Sequence, residues 1–129
     1  MEIGPLVTQT VVTIGPDHNL AEAARRMVAK RVGSAVVLKQ EGQPGIITER
    51  DLLRAISDGV DLQETSVERY MTGEAITASA SWDVMEAARR MVNGGFRHLV
   101  VLDEMGQVSG MLSIRDLVQA LLEEFAAHR

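Results

Sequence analysis

The chain has 129 residues, of which 46% are hydrophobic and 24% are charged, a balance typical of globular proteins rather than disordered or fibrous ones. It has no cysteine, which excludes disulfides, thiolate metal sites and a cysteine nucleophile. With 18 acidic and 13 basic residues, the formal net charge of −5 disfavours nucleic-acid binding, which depends on clustered Lys and Arg. We also expect no membrane span and, because the first residues lack a signal peptide, a cytoplasmic location.

An internal repeat organises the chain. The segment from Glu22 to Val28 recurs unchanged from Glu86 to Val92. In the same register Val36-Val37-Leu38 matches Val100-Val101-Leu102, and after one inserted residue 45–52 matches 110–117. One copy of about 55 residues buries little surface, whereas two copies can share a core. We therefore predict a single tandem module with a first repeat at 6–57, a connection at 58–69 and a second repeat at 70–124.

Both copies predict the same order of elements, β-α-β-β-α. The first copy begins with a short strand at 11–13, followed by a helix with apolar residues three and four apart. Apolar runs at 35–38 and 45–47 then predict two strands, and a helix begins near Glu49. The matching features of the second copy are strands at 75–77, 99–102 and 110–112 and a final helix from about Ile114 to Phe125. The apolar helix stripes are Leu20, Ala23, Ala24 and Met27 in one copy and Val84, Ala87, Ala88 and Met91 in the other.

Two residue pairs have the spacing of a helix N-cap and the third helical residue. They are Asn19 with Glu22 and Asp83 with Glu86. In this arrangement each side chain satisfies a free backbone N–H of the first helical turn. We expect both pairs to close the start of the first helix in their copy.

A motif of the form Gly-hydrophobic-hydrophobic-Thr/Ser-x-x-Asp stands where the last strand of each copy meets the last helix, ending at Asp51 and Asp116. A carboxylate can accept both hydroxyls of a vicinal diol, and a helix N-terminus suits a phosphate. The spacing from Thr48 to Asp51 and from Ser113 to Asp116 is also that of a capping box. These residues could therefore bind a sugar phosphate or could only start their helices.

This ordered set of motifs, present twice, resembles a CBS domain pair, or Bateman module, from about Leu6 to Leu122. The resemblance rests on Tyr70-Met71-Thr72, the Ala-Ala-Arg-Arg-Met helices, Arg97-His98-Leu99-Val100-Val101 and the two terminal motifs. It implies an α/β (α+β) fold in which two pseudo-symmetric repeats pack through their sheets and leave two clefts. It also implies a non-catalytic regulatory module that binds AMP, ADP, ATP or S-adenosylmethionine, with or without magnesium.

The resemblance assigns roles to residues of both copies. Asp51 and Asp116 would accept hydrogen bonds from ribose hydroxyls, assisted by Thr48 and Ser113. Candidate phosphate contacts are Arg50, Arg115, Arg97 and His98, and candidate adenine contacts are Thr13, Ile14, Ala35, Thr77, Ala78 and Leu99. The adenine candidates could equally be core residues, and His98 could be a partly buried histidine at a strand edge.

The two copies differ where phosphates are expected. Arg97-His98 in the second copy corresponds to Gly33-Ser34 in the first. One site is therefore flanked by cationic residues and the other by small neutral ones. We predict that the two sites are not equivalent.

The final helix carries more apolar surface than one small sheet should cover, which predicts a partner helix. Its apolar residues are Leu117, Val118, Leu121, Leu122 and Phe125. In similar modules such helices join two pairs into a disc, so the resemblance implies a homodimer.

No other catalytic or metal-binding pattern is present. The histidines, at 18, 98 and 128, are dispersed, and the glycine-rich phosphate and dinucleotide loops are absent. We therefore predict no enzyme activity, no catalytic cofactor, no metal site and no nucleic-acid or membrane partner. The leading hypothesis is a sensor of an adenosyl ligand that acts on a regulated protein, which the sequence leaves unknown. The alternative is a ligand-free dimerisation or protein-interaction module.

Overall fold

The structure, a computed structural model, describes residues 1–9 and 11–128. It forms two compact units. The first-repeat unit comprises residues 11–75, and the second-repeat unit comprises the described residues of 1–10 and 76–129. Each contains a three-stranded sheet and helices, which confirms the predicted α+β fold with two repeats. None of the described helices is long and apolar enough to cross a membrane.

The first-repeat unit has the predicted order β-α-β-β-α. Its strands lie in the order β1-β2-β3, with β1 parallel to β2 and β2 antiparallel to β3. The parallel pair requires a crossover, which the first helix supplies. The elements are β1 (Thr13–Ile14), α1 (Leu20–Lys30), β2 (Ser34–Val37), β3 (Gly45–Thr48) and α2 (Glu49–Ser57).

The second-repeat unit repeats this topology with the order β4-β5-β6. Its elements are β4 (Thr77–Ser79), α3 (Val84–Gly94), β5 (His98–Leu102), β6 (Val108–Ser113) and α4 (Ile114–Ala127). In both units the first strand begins two residues later than predicted. The earlier residues still join the sheet, because the carbonyls of Val12 and Ile76 accept hydrogen bonds from the next strand, at 2.8 and 3.1 Å.

Each unit has its own hydrophobic core, formed by the first helix and the sheet. The predicted helix stripes are confirmed: Leu20, Ala23, Met27, Val84, Ala87 and Met91 are buried, and Ala24 and Ala88 are partly buried. All four residues of β2 are buried. Burying one large apolar side chain contributes about 1.5–3 kcal/mol, so these stripes fix the helices on their sheets.

The connection between the repeats packs against the first-repeat unit. Val67 is fully buried in its core. The first-turn amides of Leu20 and Ala21 donate to the carbonyls of Thr65 and Leu62, at 3.0 and 3.1 Å. These amides have no partner within their own helix, so the connection satisfies groups that α1 itself cannot. The segment is therefore a structural part of this unit.

We call the residues that precede the first strand of each repeat its leading segment. Each leading segment lies in the unit of the other repeat. Thr72 forms two backbone hydrogen bonds with Ile46 beside β3, at 3.0 and 2.9 Å. Thr8 does the same with Met111 in β6, at 2.9 and 3.0 Å. Ile3 from the first segment is also fully buried in the core of the second-repeat unit.

These two backbone contacts explain the glycine that begins each terminal motif. A Cβ on Gly45 would lie 2.8 Å from the carbonyl oxygen of Thr72. A Cβ on Gly110 would lie 2.6 Å from the carbonyl oxygen of Thr8 and would also overlap the Val7 side chain. Only glycine allows the backbones to approach so closely.

In each predicted capping pair of α1 and α3, only the N-cap residue accepts a backbone hydrogen bond as predicted. The Asn19 side chain accepts from the amide of Glu22 at 2.8 Å, and the Asp83 side chain accepts from Met85 at 3.0 Å. The predicted return bonds from Glu22 and Glu86 are wrong. Both carboxylates instead pair with arginines three and four residues later, because ion pairs at that spacing align on one helix face.

Candidate functional site

The junction between β3 and α2 holds the first terminal motif. Thr48 is the N-cap of α2, and its hydroxyl accepts from the amide of Asp51 at 3.3 Å. The Oδ2 atom of Asp51 accepts from the amide and the hydroxyl of Thr48, at 2.9 and 3.2 Å. The Asp51 residue is only 9% exposed. The junction is thus a complete capping box that holds this carboxylate in one orientation.

The junction between β6 and α4 has the same backbone arrangement. The hydroxyl of Ser113 accepts from the amide of Asp116 at 3.1 Å, and Oδ2 of Asp116 accepts from the amide of Ser113 at 3.1 Å. The capping role that the sequence left open is therefore present in both repeats. In each box only Oδ2 of the aspartate accepts a bond from the N-cap residue, so Oδ1 decides whether the carboxylate can also bind a ligand.

In the first-repeat unit Oδ1 already has a partner. Nη2 of Arg54 donates to Oδ1 of Asp51 at 3.0 Å and to the carbonyl of Tyr70 at 3.1 Å. The Arg54 guanidinium also lies 5.6 Å from the centre of the Tyr70 ring. We call this set of contacts the Arg54 bridge. With it, both oxygens of the Asp51 carboxylate are engaged.

The bridge continues to the end of α2. The Tyr70 hydroxyl donates to Oδ2 of Asp58 at 2.7 Å. This hydrogen bond, together with burial and the negative charge of Asp58, raises the pKa of the Tyr70 phenol above its ordinary value. A tyrosine phenol is protonated at neutral pH in any case, and the raised pKa extends to higher pH the range over which the bond is kept.

In the second-repeat unit the corresponding Oδ1 receives no hydrogen bond from the described residues. The internal repeat places Gln119 where the first copy has Arg54, and the Gln119 side chain donates to Glu123 at 3.0 Å instead. The position equivalent to Tyr70 in the repeat is Leu6, which has no aromatic ring to contact a guanidinium. One oxygen of Asp116 is thus open to a ligand donor.

Three basic residues, Arg97, His98 and Arg115, belong to this second junction. His98 lies directly opposite Ser113 in the β5–β6 pairing. The carbonyl of Arg97 accepts from the first amide of α4, on Ile114, at 2.8 Å. The Arg97 and Arg115 side chains are exposed, and neither forms an ion pair with any residue that the structure describes. The structure thus brings four sequence-predicted residues, Arg97, His98, Ser113 and Arg115, together beside Asp116.

The first junction has a different charge environment. The carbonyl of Gly33 accepts from the amide of Glu49 at 2.9 Å, the counterpart of the Arg97 contact. The Glu49 carboxylate lies over this glycine, 3.1 Å from where a Cβ would stand. Arg50 is exposed at the same turn. The small neutral residues predicted there are therefore accompanied by an acidic group that sequence reasoning missed.

The adenine candidates divide into two sets. Ile14 and Ala35 are buried in the core of the first-repeat unit, and Ala78 and Leu99 are buried in that of the second-repeat unit. Thr13 and Thr77, in the first strand of each unit, are only partly buried. Of the six candidates, these threonines alone keep a partly accessible side chain within their own unit.

An open hollow of about 470 Å³ lies elsewhere on the first-repeat unit. It is lined by polar residues of the turn before α1 and of the connection, and none of the predicted site residues contributes to it. Its lining includes three acidic residues, Asp17, Glu22 and Glu64. This charge opposes a phosphate ligand. Within 1–9 and 11–128 no group of three or more acidic or histidine side chains could hold a metal ion.

Known proteins share this sequence pattern and this fold. The family model for the CBS domain matches residues 3–58 and 67–123. An uncharacterised 17.7 kDa protein of Acidianus ambivalens is 37% identical over 95% of this chain, which spans 74% of that protein. An uncharacterised protein of Methanopyrus kandleri is 31% identical over 92% of this chain, which spans 62% of it.

Solved structures agree. A CBS domain protein of Pyrobaculum aerophilum, solved in complex with AMP, has a TM-score of 0.86 and 30% identity, and the match covers 98% of this chain and 99% of that one. A signal-transduction protein with CBS domains from Burkholderia ambifaria, described as putative, has a TM-score of 0.88 and 27% identity, with 95% of each chain covered. The chain therefore belongs to the CBS domain family and carries two repeats of that domain.

Proposed function

We propose that this chain is a non-catalytic regulatory module that binds an adenosine-containing ligand, with the β6–α4 junction as its principal site. One observation carries the proposal. Asp116 presents a carboxylate oxygen that accepts no hydrogen bond from a described residue, at a junction to which the exposed residues Arg97 and Arg115 also belong. A diol acceptor and phosphate donors at one helix N-terminus suit a ribose phosphate.

The similar protein from Pyrobaculum aerophilum was solved with AMP, which supports an adenine nucleotide as the ligand class. AMP, ADP, ATP and S-adenosylmethionine all contain the ribose that Asp116 would recognise. We keep all four as candidates, with magnesium as an added variable for the phosphorylated ones.

The proposed roles of the residues follow their positions. Asp51 and Asp116 accept the ribose hydroxyls, with Thr48 and Ser113 holding them through the capping boxes. Phosphate contacts come from Arg97, His98 and Arg115, and Arg50 offers the equivalent contact at the other junction. The proposed adenine contacts are the partly accessible side chains of Thr13 and Thr77 and the backbone groups of the buried residues Ile14, Ala35, Ala78 and Leu99. The proposed repeat boundaries remain 6–57 and 70–124, joined by 58–69.

A homodimer formed through α4 is the proposed assembly. Val118, Leu122 and Phe125 are 47%, 62% and 72% exposed and recur at helical spacing on this helix. A helix with such a stripe normally covers it with another apolar surface. Sedimentation at micromolar concentration should show a dimer that Leu122→Glu dissociates, whereas a stable monomer would contradict it.

The alternative function, a ligand-free interaction module that uses this same surface, rests on the α4 stripe alone. In either case a separate regulated protein and a cytoplasmic location belong to the proposal.

A thermal-shift panel with the four ligands, each with and without magnesium, tests the function. A ligand at about a hundred times its dissociation constant stabilises by roughly 2.7 kcal/mol, which means a shift of several degrees. GTP is the control ligand, and Asp116→Asn is the control variant because Asn keeps a capping oxygen but removes the charge. No shift with any adenosine compound would overturn the sensor function and favour the interaction module.

A further inference from the structure

The Arg54 bridge stands where a ligand of the first-repeat unit would bind. A ribose diol needs an accepting oxygen on Asp51, and Oδ2 is already shared by the two donors of Thr48. The remaining oxygen, Oδ1, accepts from Arg54 at 3.0 Å. A carboxylate oxygen can accept two hydrogen bonds, as Oδ2 does, so a ribose hydroxyl must either share Oδ1 with the Arg54 guanidinium or displace it.

Arg54 is held in place by more than its ion pair. The same Nη2 atom donates to the carbonyl of Tyr70, and the guanidinium lies near the Tyr70 ring. The Tyr70 hydroxyl is in turn held by Asp58. Arg54 therefore has further contacts, both with Tyr70, that hold its guanidinium beside Asp51.

We propose that Arg54 is a specificity-determining residue that competes with the ligand for Asp51 and makes the first repeat the weaker of the two sites. The inference rests on the proposed function, because it concerns the same ribose contact. The chain supplies an internal comparison, since Gln119 occupies the equivalent position in the second repeat and leaves Oδ1 of Asp116 without a described donor.

The size of the effect follows from the exposure of Arg54. Its side chain is 58% exposed, so water screens the ion pair and its contribution is that of a surface pair. We expect removal of Arg54 to raise the affinity of the Asp51 site about two- to fivefold. The effect should be the same for adenosine and AMP, because the competition is for the ribose and not for the phosphate.

Exchange of the two residues tests the proposal. Calorimetric titrations with adenosine and with AMP are run on wild type, on Arg54→Gln in an Asp116→Asn background, and on Gln119→Arg in an Asp51→Asn background. Each double variant is compared with its background alone. Arg69→Gln is the matched control, because Arg69 is exposed near Tyr70 but makes no described contact with Asp51.

The proposal is supported if Arg54→Gln strengthens binding of both ligands and Gln119→Arg weakens it, with Arg69→Gln unchanged. It is overturned if wild type binds but Arg54→Gln leaves the Asp51 site unchanged or undetectable. Weaker binding of AMP alone also overturns it, because Arg54 would then be a phosphate contact. If wild type binds neither ligand, the proposed function itself fails, and the inference fails with it.

Discussion

The two strand-to-helix junctions have the same capping box but offer a ligand different carboxylates. In both repeats a Thr or Ser and an Asp three residues later satisfy each other's backbone amides. Beyond the box, Oδ1 of Asp51 accepts from Arg54, whereas Oδ1 of Asp116 accepts no hydrogen bond from the part of the chain that the structure describes and the basic residues near it in the chain are exposed. The comparison teaches that the motif itself specifies how the helix starts, and that the residues around it decide what can bind.

The largest expected effect concerns the backbone contact behind each junction. Gly110→Ala would place a methyl group against Val7 and 2.6 Å from the carbonyl oxygen of Thr8. We expect a loss of about 1–3 kcal/mol in the free energy of unfolding, measured by urea denaturation, because this backbone must move. Gly45→Ala, with its nearest backbone contact at 2.8 Å, should cost less.

Gly73→Ala is the control for this pair, because nothing lies within 4 Å of its added Cβ. If Gly110→Ala were no more destabilising than Gly73→Ala, the close approach of the leading segment to β6 would be wrong.

A second experiment tests the difference in charge between the two junctions. Arg97→Gln should weaken AMP binding about tenfold, which corresponds to about 1.4 kcal/mol for one charge-assisted hydrogen bond, and should leave adenosine binding unchanged. The same change at Arg50 should have a smaller effect, since the Glu49 carboxylate already opposes a phosphate there. Equal losses from the two substitutions, measured by calorimetry, would remove the proposed asymmetry.

The smallest expected effect is a pH dependence in the first helix of the first-repeat unit. Hydrogen bonds from Arg25 and then Arg26 lower the pKa of Glu22 below its ordinary value of 4.5. A carboxyl group with a lower pKa in the folded state stabilises the fold above its unfolded pKa, and this contribution is lost as the pH falls through the folded pKa. Glu22→Gln should therefore destabilise slightly at pH 7, and this effect should be smaller at pH 3, which lies below the ordinary pKa of 4.5.

Denaturation curves at the two pH values measure this difference. A difference between wild type and variant that is the same at both would show that the Glu22 pairs with Arg25 and Arg26 do not contribute to stability.

Local pattern was sufficient to predict the elements and their order. The helix stripes, the short apolar strands and the terminal capping spacing all depend on neighbours a few residues apart, and each is found in the structure. The return bonds of Glu22 and Glu86 were mispredicted because spacing alone does not say whether a carboxylate will turn to an amide or to an arginine.

Contacts between distant parts of the chain could not be predicted. Thr8 and Thr72 each join a sheet through one bridging residue, which leaves no periodic signal in the sequence. The connection packs through two carbonyls and the buried Val67, whereas its composition is that of a polar loop. Arg54 was predictable in principle, since it follows Asp51 at the helical spacing of an ion pair, but its bond to Tyr70 required the fold.

Calorimetric titration of wild type and Asp116→Asn with AMP tests the central claim most directly. The account predicts that wild type binds AMP and that Asp116→Asn loses the stronger of its sites while keeping its fold by circular dichroism. Absence of binding at millimolar AMP, or an Asp116→Asn isotherm that matches wild type, would contradict the assignment of the β6–α4 junction as the principal site.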